Sequence, residues 1–378
     1  MKVLILGGTG AMGVPLSRML RESGNDVYVT SRSAHSPSPY GIRHIQGNAG
    51  DIKFLDGLLS VETYDAVVDF IVRDKDNFES AADLILRKSG QFVFISSARV
   101  YAQSDIPITE DTPRLLDVSE DAEYLKTGEY ALAKAREENF LKDSGMSNWT
   151  VIRPTITYNS HRLQLGVLEK ENWLYRALHG RSIVFSRDIG SKITTMTYGD
   201  DVSRGISSII GRQEALGQIY HITSPVSLPW DRVLEIYLSV LRRRLPAEQQ
   251  PKVVYTETSS NLRFKEKRYQ VIYCRYFNRS FDNTRISQFC DVSEFTPPET
   301  GLAMCLDKFL DGPEFRSIDW RLEAVNDRIS HERARLKEIP DVKSRISYLL
   351  YRYDLVFLVG LYGMSLKILR KISDNLSK

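Results

Sequence analysis

Val3-Leu4-Ile5-Leu6-Gly7-Gly8-Thr9-Gly10-Ala11-Met12-Gly13 stands at the head of the chain and decides its fold. Four apolar residues ending in glycines read as a short buried parallel strand. Val14 to Glu22 then has helical spacing, with Leu16, Met19 and Leu20 on one face. The glycines therefore join a strand to a helix. Glycine allows the tight turn and lets backbone N–H groups approach an anionic pyrophosphate. The helix N-terminus adds partial positive charge. Gly7, Thr9, Gly10, Ala11, Met12 and Gly13 are thus expected to grip a dinucleotide. Their spacing is Gly-x-x-Gly-x-x-Gly, not the Gly-x-Gly-x-x-Gly of the ordinary dinucleotide fold.

Outward from this turn, strands alternate with helices. Asp26–Thr30, Arg43–Gln46, Asp65–Ile71, Gln91–Ile95 and Trp149–Ile152 read as further strands. Residues 78–88 and Tyr124–Leu141 read as helices. This alternation predicts an α/β fold, a Rossmann-type doubly wound parallel sheet. The dinucleotide-binding domain is expected over residues 1–160, with its sheet open to completion by later segments. Residues 161–312 are expected to form mainly a smaller substrate-binding lobe. There Arg162–Ala177 and Trp230–Leu241 read as helical and Ile219–Ile222 as a short strand. Residues 313–378 read as a helical C-terminal extension: Trp320–Lys337, a break at Pro340, then Val342–Leu376.

Bulk properties narrow the function. The 378 residues are 42% hydrophobic and 26% charged, an ordinary globular composition. A net charge of +3 implies no strong field for nucleic acid. Cys274, Cys290 and Cys305 are scattered, without metal-ligand spacing, so no metal is expected and a reducing cytoplasm is. No signal-peptide pattern and no uncharged run of about 18 apolar residues is present. The tail from Lys343 admits three readings: packing on the body, a homodimer interface, or peripheral membrane contact. In the last, the uncharged run Leu355–Leu366 lies between basic flanks.

The second strand ends in Thr30-Ser31-Arg32-Ser33. An acidic residue there would hold the 2′-hydroxyl of NAD. Ser31 and Arg32 instead suit a 2′-phosphate, which favours NADP(H), with NAD(H) as the alternative. Arg32 could also stack on adenine or lie in solvent.

Tyr130 and Lys134 stand one helical turn apart on one face. With nineteen tyrosines such a pair arises about once by chance, so its context matters. A phenol is a poor base near pH 7, and a neighbouring cation favours its ionised form. Ser97 follows the fifth strand, where open α/β sheets place ligands. Its hydroxyl could orient a carbonyl or alcohol oxygen while the phenol exchanges a proton.

Together these motifs resemble the extended short-chain dehydrogenase/reductase family, especially its nucleotide-sugar epimerases, reductases and dehydratases. The resemblance covers residues 1 to about 312. It rests on the glycine triad, Ser97 to Tyr101, Tyr130 with Lys134, and Arg153-Pro154. Tyr198 to Val202, Phe281 to Arg285 and Phe295 to Pro297 add to it. The resemblance implies Tyr130 as acid/base, Lys134 on the nicotinamide ribose and Ser97 on the reacting oxygen. It puts Asn48 near the adenine, Phe70 and Ile71 along the cofactor through backbone groups, and Pro154 and Thr155 near the nicotinamide. It implies hydride transfer at a carbinol or keto carbon of a nucleotide-activated sugar, by 4-ketoreduction or 4-epimerisation. The alternative is a cofactor-sensing binding protein for RNA or a protein partner.

Three departures stand out. Ala98 and Arg99 replace the Asp-Glu pair of the family's 4,6-dehydratases. Ile156 replaces a frequent Asn. Ile71, Val72 and Arg73 replace small residues. Among other residues, Asp200 and Asp201 are expected to cap a helix starting at Val202. His221 is expected to be a packed histidine. His161 and Arg162 read as loop or diphosphate contact. Arg187, Arg275 and Arg279 are candidate diphosphate clamps. Tyr276 and Phe277 read as core.

Overall fold

The computed structural model describes residues 1–355 apart from 37, 39 and 263–266. The apolar run near the N-terminus forms β1 (Lys2–Leu6), in which Val3 to Leu6 are wholly buried. Around it lie β2 (Asp26–Ser31), β3 (Arg43–Gln46), β4 (Tyr64–Asp69), β5 (Ser89–Ile95), β6 (Trp149–Pro154) and β7 (Gln218–Ile222). They form one seven-stranded sheet in the order β7-β6-β5-β4-β1-β2-β3, with every pair parallel.

A parallel sheet must be covered on both faces. Successive side chains of β1 alternate between them. Val3 and Ile5 pack with Leu16 and Leu20 of α1 (Gly13–Glu22). Leu4 and Leu6 face Leu55 of α2 (Ile52–Val61) and Ile85 of α3 (Lys75–Lys88). Leu141, from α4 (Tyr130–Asp143), joins that second layer. Strand order reverses at β1, between β2 and β4, so the crevice beyond their carboxyl ends is the expected ligand position.

The doubly wound sheet matches the fold expectation, a later segment completes it, and several local details differ. Ile219–Ile222 is part of β7, a full member of the main sheet, with His221 level with Arg153 of β6. The helix expected over Tyr124–Leu141 is broken. One turn, Ala122–Leu125, ends near Thr127, and α4 begins at Tyr130. Glu129 causes the restart: its backbone is extended and its carboxylate accepts from Ala131 N at 2.7 Å. The helix expected over Arg162–Ala177 opens instead as a hairpin, Gln164–Leu165 with Leu168–Glu169, turning at Gly166 (φ +58°). Only then does α5 (Lys170–Leu178) start. Asp200 and Asp201 are not caps, because α6 (Gly199–Ile209) begins before them. Asp201 instead accepts from Thr296 N at 2.7 Å.

A second core joins α5, α7 (Trp230–Arg244) and α8 (Pro298–Leu310), with Trp173 stacked on Tyr237. Against it packs the extension, α9 (Trp320–Ser330) and α10 (Val342–Arg352). Arg176 of α5 reaches Asp327 at 2.7 Å and Glu323 at 3.1 Å, all three side chains fully buried. The described part of the tail is therefore tied to the body by charge as well as by apolar contact. α9 stops at Ser330, before Pro340, because His331 turns left-handed (φ +57°). α10 ends at Arg352, short of the helix expected to Leu376, and Asp354 just beyond it turns left-handed (φ +56°). Residues 356–378, with all but the first residue of Leu355–Leu366, lie outside the described residues. Among the described residues no helix is long and apolar enough to cross a membrane.

Candidate active site

Two adjoining cavities lie at the carboxyl end of the sheet. The larger, about 1480 Å³, is walled by Gly8, Thr9, Gly10, Ala11 and Met12 and by residues after β2. Gly7 holds φ +69°, and its N–H donates to Thr30 Oγ1 at 3.0 Å. A Cβ on Gly13 would lie 2.5 Å from the Gly8 backbone, so only glycine lets α1 pack that closely. A Cβ on Gly10 would meet nothing within 4 Å, since Gly10 faces the open cleft. No side chain caps the N-terminus of α1. Glycine backbone beside an uncapped helix start fits the pyrophosphate of a dinucleotide.

At the end of β2, Ser31 Oγ accepts from Ser33 N at 3.2 Å and pairs with His35 Nε2 at 2.9 Å. His35 stacks on His44, ring centroids 4.6 Å apart. Burial, then the His35 charge, hold His44 below the usual imidazole value. These two histidines line the cleft, whereas Arg32 is exposed and contributes its carbonyl to Gln46. Sequence reasoning passed over the histidines. The signal was their placement, His35 in the loop after β2 and His44 in β3.

Asn48 is exposed, and its side chain serves the turn by accepting from Gly50 N at 3.1 Å. Phe70 N donates to Leu6 O and Ile71 N to Asp69 Oδ1, so both N–H groups are already used. Ile71 packs on Gly7: a Cβ there would lie 2.6 Å from Ile71 Cδ1. Arg73, in place of a small residue, is buried against Asp69 and donates to Ala49 O.

The smaller cavity, about 390 Å³, is lined by Ser97, Tyr130, Pro154 and Thr155. Met12, Thr157 and Arg162 line both cavities, which meet there. Ser97 sits where β5 ends, and Tyr130 is the first residue of α4. The restart at Glu129 thus delivers the phenol to the cavity. Tyr130 is 37% exposed, enough for a ligand to reach it. Lys134 is buried, its ammonium 2.9 Å from a Glu137 carboxylate oxygen, 4.5 Å from the Phe94 ring centre and 6.0 Å from that of Tyr130. The Arg99 guanidinium stands 5.3 Å over the Tyr130 ring and pairs with Glu129. Sequence reasoning noted Arg99 only as a missing carboxylate.

Behind Ser97, Ser96 Oγ donates to Glu138 Oε1 at 2.6 Å. Arg153 grips both oxygens of that carboxylate, at 2.8 and 2.6 Å. His221 is packed, as expected. It takes a hydrogen bond from the Tyr101 hydroxyl and donates to Asp282 O, and burial pushes it down to about 4. Of the three candidate clamps, Arg275 and Arg279 line the small cavity, while Arg187 lies outside against Tyr255 and Glu257. Phe277 lines the cavity too, whereas Tyr276 donates to Asp188. Gln164, 1% exposed, also lines it, and neither of its amide atoms has a partner.

A family model described as "NAD dependent epimerase/dehydratase family" matches residues 3–223. Among curated proteins, the chain is 28% identical over 244 residues to the chloroplast stem-loop binding protein of 41 kDa b of Arabidopsis thaliana. That match covers 61% of this chain and 60% of the relative. It is 26% identical over 246 residues to a 2'-dehydrokanamycin reductase of Streptomyces kanamyceticus, covering 62% and 65%. The matched region thus spans less than two thirds of these relatives' lengths. Among solved structures, UDP-glucuronic acid 4-epimerase from Bacillus cereus, in complex with UDP-glucuronic acid and NAD, superposes with a TM-score of 0.60. It is 16% identical, covers 82% of this chain and 99% of that one, and shares the fold.

Proposed function

Because this chain belongs to the NAD dependent epimerase/dehydratase family, we propose that it moves hydride at a carbinol or keto carbon of a nucleotide-linked sugar, as a 4-ketoreductase or 4-epimerase. The observation that carries this reading is the junction of the two cavities. Ser97 and Tyr130 line the small one, directly beside a dinucleotide-sized cleft. A nicotinamide ring bound in that cleft would supply or accept the hydride. Ser97 holds the reacting oxygen, and Tyr130 gives or takes its proton. Lys134, anchored by Glu137, supplies a cation near the phenol. Ala98 and Arg99 leave no carboxylate next to Ser97, which argues against dehydration.

The test incubates the protein with NADPH or NADH and a panel of UDP- and dTDP-hexoses and their 4-keto forms, followed by NMR. Net oxidation of the reduced cofactor marks a reductase. Interconversion of 4-epimers without net cofactor change marks an epimerase. No turnover, together with tight binding to an RNA stem-loop, would favour the binding-protein alternative, which the Arabidopsis relative's name supports.

We further propose a preference for NADP(H). No acidic side chain ends β2, and Ser31, Arg32 and the His35–His44 pair offer donors to a 2′-phosphate. Arg32→Ala is expected to weaken NADP(H) binding about tenfold, the worth of one charge-assisted contact. NAD(H) binding should stay within about twofold. Equal losses in calorimetric titrations of the two cofactors would remove the preference.

A further inference from the structure

Two guanidinium groups in the small cavity are buried without a carboxylate partner among the described residues. Arg275, 3% exposed, donates to Gly166 O at 2.9 Å, and Glu169 acts on it only from a distance. Arg279, 7% exposed, donates to the carbonyls of Tyr101, Ala102 and Tyr273, and its Nε has no acceptor. Buried cations demand compensation. The anionisable group in contact is Cys274, whose Sγ lies 2.9 Å from Arg275 Nη1. Cys274 lines the cavity and sits in a π-helical turn, Val271–Arg275, a backbone form common at functional sites. The unpartnered Gln164 amide independently marks this cavity as one that receives a polar ligand.

We propose that Cys274 is a covalent modification site: a nucleophilic thiolate, ion-paired to Arg275 within the cavity, that small neutral electrophiles alkylate or oxidise. With iodoacetamide, the sulfur lone pair forms a C–S bond, the C–I bond breaks, and iodide leaves with the electron pair. With hydrogen peroxide, the sulfur attacks one oxygen and the O–O bond breaks. The thiolate is oxidised to sulfenic acid, and the peroxide is reduced to hydroxide. The charged groups facing the sulfur are Arg275, Arg279 and Arg99, with Glu129 opposing them. Burial pushes the thiol up, and the three guanidiniums outweigh it, holding Cys274 below the usual thiol value. Cys290 and Cys305 serve as internal controls, because burial raises both, Cys305 to about 12. On the sugar-enzyme reading, an adduct on Cys274 stands in the space shared with Ser97 and Tyr130.

The experiment treats the full native chain with iodoacetamide across a pH series and reads each cysteine by peptide mass spectrometry. It needs neither sugar nor cofactor, so its failure leaves the sugar-enzyme reading standing. Cys274 is expected to label at least about tenfold faster than Cys290 and Cys305 at pH 7, an advantage that vanishes in denaturant. Its rate should reach half of its plateau at a pH below the ordinary thiol value of about 8.5. Arg275→Met should slow it and shift the plateau alkaline, whereas Arg275→Lys should preserve it. A rate no faster than the controls overturns the proposal. So does a wild-type pH midpoint near the ordinary thiol value of about 8.5, and this reading stands even if the Arg275 variants fail to fold.

Discussion

Tyr130→Phe is expected to lower turnover by about 10²–10⁴-fold, the usual worth of one positioned acid or base. Dinucleotide binding should remain within about twofold of wild type. The asymmetry follows from where the phenol stands. Tyr130 opens α4, lines the 390 Å³ cavity and leaves the glycine turn untouched. Its ring contacts are with Arg99 and Lys134, and Phe keeps the ring. Only the hydroxyl is lost, so the fold should survive unchanged. The measurement pairs steady-state turnover on whichever sugar proves active with calorimetric cofactor titration. Retained turnover would remove Tyr130 from the chemistry. Lost cofactor binding would mean that the phenol mainly shapes the cleft.

The sheet was legible because its cause is local. Short runs such as Val3 to Leu6 are apolar on both faces and end in glycine, which suits a parallel strand covered on both sides. β7 was harder, since Gln218–Ile222 looks like any short strand, and its place beside β6 depends on a long-range pairing. The break before α4 falls at Thr127-Gly128, a single weak interruption in a stretch from Tyr124 to Leu141 that is otherwise helical in composition. What stops it is the conformation of Glu129, whose carboxylate turns back onto Ala131 N. Gly166 hid the hairpin at Gln164 for a similar reason: its left-handed backbone carries no weight in a helical periodicity count.

At the site, single residue types were readable and their partners were not. Ser97 and Tyr130 were chosen from spacing, and the fold brings both to one cavity. Nothing in the spacing shows that Glu137 would anchor the Lys134 ammonium, or that Arg99 would lie over the phenol. Arg275 and Arg279 were visible only as cations. Cys274 stands next to Arg275 in the sequence, but the lack of carboxylates around the two guanidiniums emerges only when distant segments converge on one cavity.

Glu138→Gln is expected to destabilise the protein by about 3–5 kcal/mol at pH 7, the cost of breaking a buried ion pair. The carboxylate is wholly buried and accepts four hydrogen bonds, from Ser96 Oγ, Arg153 Nε, Arg153 Nη2 and Arg114 Nη1. An amide presents a donor where two guanidiniums already donate, and it leaves Arg153 buried without its counter-charge. Burial acts to raise Glu138, but Arg153, Ser96 and Arg114 together hold it below the usual carboxylate value. The sign of the pH dependence follows. A group depressed in the folded state contributes stability that is fully present above its unfolded value of about 4.3. That contribution is lost as pH falls through the lower folded value. The gap between wild type and Glu138→Gln should therefore be widest at neutral pH and narrow progressively below about pH 4.3. Urea denaturation of both proteins at pH 7 and in the acid range measures it. A gap that stays constant, or widens in acid, would show that Glu138 acts through packing and not through its charge. Because Ser96 adjoins Ser97, the same substitution should also loosen the end of β5. Turnover of the folded variant should then fall even at temperatures where it remains fully native.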